Sequence, residues 1–219
     1  MTRPIEPDKA ASVRRITRFA PYAVGVVLAG MLGLSAFLIW TALGPGGAGL
    51  SGAVTGRQIG PAIGGDFTLV NQDGKTITQA DFLGKPLAIF FGYTHCPDAC
   101  PTTLSDMTDR LKALGPDGDK FNVLFVSIDP ARDTPALLKT YLESFDPRIS
   151  AATGTPAQVE DAMKKFRVYS RKVGEGDAYT YDHSTAVYLM NARGELVSLI
   201  EYQARQDEAV EKMRRTLAS

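Results

Sequence analysis

The hydrophobic pattern divides the chain into stretches of different character. Between residues 19 and 56 no position is charged, and residues 22–43 form a nearly unbroken apolar run of 22 residues. At about 1.5 Å per residue such a helix is roughly 33 Å long, enough to cross a bilayer. Gly25, Ala29 and Gly33 recur every four positions within it. Small residues are common in membrane helices, where such a stripe also lets two helices pack closely. A cleavable signal peptide has a shorter apolar region, about 7–15 residues, and a small-x-small site. The best such site, Ala42-Leu43-Gly44, runs into Pro45, so residues 19–43 are expected to form an uncleaved anchor. Residues 44–65 then hold nine Gly and two Pro in 22 positions. That composition predicts a flexible tether with an r.m.s. reach of about 26 Å.

From residue 66 onward the pattern is that of a folded α/β domain. Residues 67–70 and 75–78 flank Asn71-Gln72-Asp73-Gly74, a hairpin with a glycine in its turn. Residues 87–91 and 121–128 are short continuous apolar runs, which suit strands covered on both faces. Between them Pro101 opens a helix whose apolar positions are Leu104, Met107, Leu111 and Leu114. Thr134-Pro135 begins a second helix, with Leu137, Leu138, Tyr141, Leu142 and Phe145 on one face. Thr155-Pro156-Ala157-Gln158 combines a capping box with proline at the first helical position. Residues 168–172, 185–190 and 196–200 read as strands, and residues 206–217 close the chain as a helix. A β-α-β core followed by a β-hairpin and helix is thioredoxin-like, here with an N-terminal hairpin added.

Composition and charge sharpen this division. The chain of 219 residues has 24 basic and 24 acidic side chains, which argues against a basic nucleic-acid binder. Arg3, Lys9, Arg14, Arg15 and Arg18 precede the apolar run, against Glu6 and Asp8, so the remainder carries a net charge of about −3. Positive residues stay on the cytoplasmic side of a membrane. The expected organisation is therefore a basic cytoplasmic tail at 1–18, an anchor at 19–43, a glycine-rich linker at 44–65 and an exported domain at 66–219. A leader of 18 residues is short for a mitochondrial presequence. The expected location is a bacterial inner membrane with the domain in the periplasm; a mitochondrial inner membrane is the second choice.

Candidate chemistry gathers in Phe91-Gly-Tyr-Thr-His95-Cys96-Pro97-Asp98-Ala99-Cys100-Pro101, which holds both cysteines of the chain. The segment links the C-terminal end of a buried strand to a helix N-terminus, where α/β proteins collect their sites. With Pro101 at the first helical position, Cys100 stands near the N-cap, and the helix dipole should lower its pKa. Two thiols four residues apart can form a reversible disulfide, hold a soft metal ion, or do both. A purely structural bridge would close so short a loop that little chain entropy is removed.

Common thioredoxin oxidoreductases have two residues between their cysteines and a cis-proline facing them. Here there are three, and all 13 prolines lie at or before residue 156. The corresponding turn reads Tyr181-Asp182-His183-Ser184, which offers an imidazole to the thiols instead. Two Cys and one His suit Cu(I); with a water as fourth ligand the same set holds zinc. Asp129 and Asp133, after the next strand, and Asp182 beside the histidine are candidate partners behind the ligands. A peroxide-reducing site would want Thr three residues before the attacking Cys, whereas Thr94 is two before Cys96. The alternatives that remain are a metal carrier without turnover and a thiol–disulfide oxidoreductase using Cys96 and Cys100 alone.

Three segments taken in order resemble the SCO/SenC family of membrane-anchored copper proteins: the cysteine loop 91–101, Ser127-Ile-Asp-Pro-Ala-Arg-Asp-Thr-Pro135, and Asp182-His183-Ser184. The resemblance covers roughly residues 60–219, and the single N-terminal span fits it. Ala99 stands where the family more often has a larger aliphatic residue. The resemblance implies a thioredoxin fold that binds copper, as Cu(I) and also Cu(II), through Cys96, Cys100 and His183. It also implies a client, the binuclear copper centre of cytochrome c oxidase subunit II, served by copper delivery, by thiol reduction, or by both. Other periplasmic copper carriers are further expected partners.

Overall fold

Strands covered on both faces need no polar side, and the two most continuous apolar runs take the middle of the sheet. The computed structural model describes residues 62–219 and, before them, Gly33 alone. The basic leader, the expected anchor and most of the linker lie outside the described residues. Among the described residues no helix is long and apolar enough to cross a membrane.

Strand β3 (Leu87–Gly92) is buried along its whole length, and β4 (Asn122–Ser127) is buried after its first residue. They pair in parallel from Leu87↔Asn122 to Gly92↔Ser127. Strand β5 (Ile149–Thr153) continues the parallel set beside β4. On its outer side β5 pairs antiparallel with β1 (Thr68–Asn71), which forms the hairpin with β2 (Thr76–Thr78). On the far side of β3 come β8 (Val187–Met190) and β9 (Leu196–Ile200), both antiparallel. The seven-stranded order is β2-β1-β5-β4-β3-β8-β9. The N-terminal hairpin is thus an extension of the main sheet. Strands β6 (Ser170–Val173) and β7 (Thr180–His183) form a separate two-stranded ribbon.

The parallel strands β3, β4 and β5 advance in one direction, so right-handed crossovers place both connecting helices on the same face. These are α1 (Ala99–Leu114) and α2 (Pro135–Leu142). Side chains alternate along a strand. Phe90 stacks on Phe125 at 5.1 Å and Phe125 meets Tyr141 of α2 at 6.0 Å. Phe91 points to the opposite face, where it meets Phe166 of α3 (Pro156–Phe166) at 5.3 Å. The last helix, α4 (Gln206–Leu217), packs on α1. Burying each such Phe or Leu contributes about 1.5–3 kcal/mol.

The helix starts follow local chemistry. Thr134 caps α2 by accepting from Leu137 N, and Thr155 and Gln158 form the complete capping box of α3. The departures from the sequence reading have physical causes. Helix α1 begins at Ala99 with Asp98 as N-cap, so Pro101 is the third helical residue and not the first, and Cys100 lies in the first turn, two residues past the cap. Strand β5 was not foreseen because Ile-Ser-Ala-Ala-Thr is poor in β-branched and aromatic residues; pairing on both sides supplies what propensity does not. Strand β7 occupies most of what reads as a turn at 181–184, and its partner β6 lies two residues later than expected at its start. Leu137 is 38% exposed while Leu138 is fully buried, which narrows the expected apolar face of α2. The domain also reaches back into the glycine-rich stretch: Ile63 packs against the core and Gly64 N–H donates to Lys165 O.

Candidate metal centre

Two loops and a ribbon bring the reactive groups together. Strand β3 ends at Gly92 and delivers Tyr93 and the cysteine loop; β4 ends at Ser127 and delivers Asp129 and Asp133; β7 ends on His183. One sulfur each from Cys96 and Cys100 and one ring nitrogen of His183 lie within 4.8 Å of one another. Cys100 is buried, Cys96 half-buried, and the Cys100 Sγ to His183 Nε2 distance is 3.7 Å. His183 Nδ1 lies 2.8 Å from Ser184 O. A carbonyl only accepts, so Nδ1 carries the proton and Nε2 turns its lone pair toward the sulfurs. The Tyr93 ring meets the imidazole nearly at right angles, with ring centroids 5.7 Å apart. The opening above these groups, about 300 Å³, is lined by Tyr93, Cys96, Pro97, Asp98, Ala99, Thr180, Tyr181, His183 and Thr185.

The three carboxylates take different places. Asp133 is fully buried and organises the cysteine loop. Its Oδ2 accepts from Thr94 N at 3.0 Å and Ser127 Oγ at 2.6 Å; its Oδ1 accepts from Thr94 Oγ1 at 2.6 Å. With the Thr94 proton committed to Asp133, His95 Nδ1 donates to Thr94 Oγ1 at 3.0 Å. His95 is therefore turned into this network, its side chain half exposed. Asp129 is also fully buried but pairs with Arg132 and Tyr179. Asp182 points outward to Arg171. None of the three hydrogen-bonds to the imidazole. Residues that sequence reasoning passed over are Tyr93, Arg132 and Tyr179. Arg132 sat inside a quoted motif, yet nothing in its local sequence shows that it meets a tyrosine 47 positions away.

The electrostatics reverse one expectation. The Cys96 thiol is pulled down to about 3 by the hydrogen bond from Cys100 and by the backbone N–H groups of Asp98 and Cys100, against the effect of burial. Cys100 is pushed up by donating to Cys96, by its own burial and by the thiolate beside it. The expected lowering of Cys100 by the helix N-terminus does not occur, because a neighbouring thiolate and loss of water outweigh a partial dipole charge. Iodoacetamide at pH 5 should accordingly label Cys96 alone, since that thiol is ionised well below this pH and Cys100 is buried and protonated. Peptide mass spectrometry reads the site; labelling of Cys100 first would refute the assignment.

Chemically the site offers two soft sulfurs and one neutral nitrogen converging on one point. Such a set suits Cu(I), and the same sulfurs remain a dithiol that can be oxidised. A thioredoxin-like domain with this arrangement defines a class, the thiol–imidazole soft-metal proteins. Within it the chain belongs to the family described as SCO1/SenC, whose model matches residues 56–218. It is 34% identical over 229 residues to Protein SCO1 homolog 2, mitochondrial, of Arabidopsis thaliana, covering 99% of this chain and 82% of that protein. The structure of Bradyrhizobium japonicum ScoI with copper bound is 46% identical, with a TM-score of 0.66 over 71% of this chain and all of that one. Yeast Sco1 with copper bound is 38% identical, with a TM-score of 0.67 over 73% of this chain and 90% of that one.

Proposed function

We propose that the protein is a copper-binding metallochaperone that helps assemble the binuclear copper centre of cytochrome c oxidase subunit II. The observation that carries the reading is the convergence of Cys96, Cys100 and His183 on one point, with the imidazole Nε2 lone pair free. Copper is the cargo. Reduced Cys96 and Cys100 hold it with His183, and ligand exchange between thiolates passes it on without covalent catalysis. Oxidation to a Cys96–Cys100 disulfide withdraws both sulfurs and makes affinity redox-dependent. The copper-bound relatives and the membership of the SCO1/SenC family support this. The apolar run at 19–43 anchors the chain in a bacterial inner membrane, N-terminus cytoplasmic and domain periplasmic; that placement rests on charge and hydropathy alone.

The test is copper uptake by the reduced full chain in detergent. One copper per chain is expected. His183→Ala should weaken binding by more than the roughly 10-fold to 100-fold that loss of a residue behind a ligand costs, and Cys96→Ser or Cys100→Ser should abolish it. A variant lacking all three ligands that still took up one copper would end the reading. The low Cys96 pKa favours a second reading, reduction of the client's cysteines. His183→Ala with unchanged reductase behaviour and unchanged oxidase assembly would select it.

A further inference from the structure

The metal ligands come from two bodies of different robustness. Cys96 and Cys100 stand on the main sheet and α1; His183 stands on the β6–β7 ribbon, which shares no strand pairing with that sheet. A two-stranded ribbon is marginal by itself, so something must hold it. On one side of it lies an open groove of about 370 Å³ bordered by Ile128, Pro130, Val159, Met163, Lys172 and Tyr181.

The attachment is concentrated at Arg132. Its Nε bonds the buried carboxylate of Asp129. Its Nη1 reaches Tyr179 O at 3.1 Å and Asp177 O at 3.3 Å, both in the segment that leads into β7. Its guanidinium lies 3.6 Å from the centre of the Tyr179 ring, and Lys172 Nζ lies 3.5 Å from the same centre. Tyr179 OH donates to Asp129 Oδ1 at 2.8 Å. Farther along β7, Tyr181 N–H donates to Tyr93 OH at 3.1 Å. At the ribbon's end Ser184 and Tyr169 exchange two hydrogen bonds. Planar donors and a stacked ring fix orientation as well as distance.

We propose that Arg132 is the positioning residue of the metal site: clamped between Asp129 and Tyr179, it holds the ribbon so that His183 meets the two sulfurs. The proposal rests on the copper reading above and adds to it a residue that touches no ligand. Without the clamp the cysteines keep their places, while the imidazole is free to swing with the ribbon.

Arg132→Ala would strand the Asp129 carboxylate and risk unfolding. Arg132→Lys keeps a charge beside Asp129 and loses both carbonyl contacts and the flat face. Cu(I) affinity of the full chain in detergent, by competition with a chromophoric chelator, should fall about 10-fold to 100-fold in Arg132→Lys. In a His183→Ala background the same substitution should change affinity by less than about twofold, because its effect runs through the imidazole. Equal losses in both backgrounds, or no loss in the wild-type background, would overturn the proposal. A metal-free readout accompanies it: amide exchange at Tyr181 and Asp182 should speed up in Arg132→Lys, with β3 and β4 unchanged. Unaltered exchange in the ribbon would also overturn it. If the wild-type chain took up no copper, the functional reading would fail by itself, and the exchange measurement would still decide whether Arg132 holds the ribbon.

Discussion

Asp133→Ala should lower unfolding stability by at least about 1–3 kcal/mol, the cost of leaving a buried donor without its acceptor, and by more for each further donor that finds no new partner. Three donors converge on this carboxylate: Thr94 N–H, Thr94 Oγ1 and Ser127 Oγ. The hydroxyls can rotate toward other acceptors, but the Thr94 N–H is fixed by the loop. Each donor stranded in the interior costs about 1–3 kcal/mol. Against a total of about 5–15 kcal/mol for an ordinary domain, the variant would be marginal. The loop that positions Cys96 would loosen with it. Asp133→Asn keeps the shape but turns an NH₂ toward groups that are themselves donors, so it should recover less than half of the loss. Urea midpoints of the metal-free proteins give the answer; an Asp133→Ala value within about 1 kcal/mol of wild type would show that the cluster does not hold the loop.

Gly92→Ala comes next, and Gly92→Val should be worse. A Cβ at Gly92 would stand 2.6 Å from Cys100 Sγ, 2.9 Å from Phe125 Cε2 and 3.1 Å from Phe90 Cζ. The strand end cannot retreat, because it is paired to Ser127. The sulfur must therefore leave its position or the aromatic pair must shift. Overpacking of this kind costs about 1–3 kcal/mol, and copper uptake should suffer more than stability, since the displaced atom is itself a ligand. Pairing the change with Cys100→Ala removes the closest clash and should recover at least about 0.5 kcal/mol as a coupling energy. Additive losses in the double variant would show that Phe125, not the thiol, takes the strain.

Much of the site was legible in the residues. Cys96 and Cys100 are the only cysteines, and His183 stood out because it occupies the turn where proline is expected. Asp133 was legible as a partner of the loop but not as its organiser, because Thr94 and Ser127 reach it from two different strand ends. Asp129 carried the same two readings, companion of the imidazole or of the loop; the fold commits it to Arg132 and Tyr179 instead. The direction of the Cys100 pKa was misread because a helix terminus is a local signal, whereas burial and a facing thiolate are tertiary. In the fold, β3 and β4 declared themselves by continuous apolar runs. Strands β5 and β7 did not, since one is built of small residues and the other of polar ones. Both exist through their partners.

The point where the chain joins the domain has a practical meaning. Gly64 lies beside Met190 and Lys165, and Met190 pairs with Leu87 at the start of β3. The sulfurs follow the other end of that strand, about 17 Å along it at about 3.3 Å per residue. A force applied at Ile63 itself therefore enters the domain at the pole remote from the thiols. It loads the start of β3 and the Met190–Leu87 pairing before it reaches the strand end that carries the sulfurs.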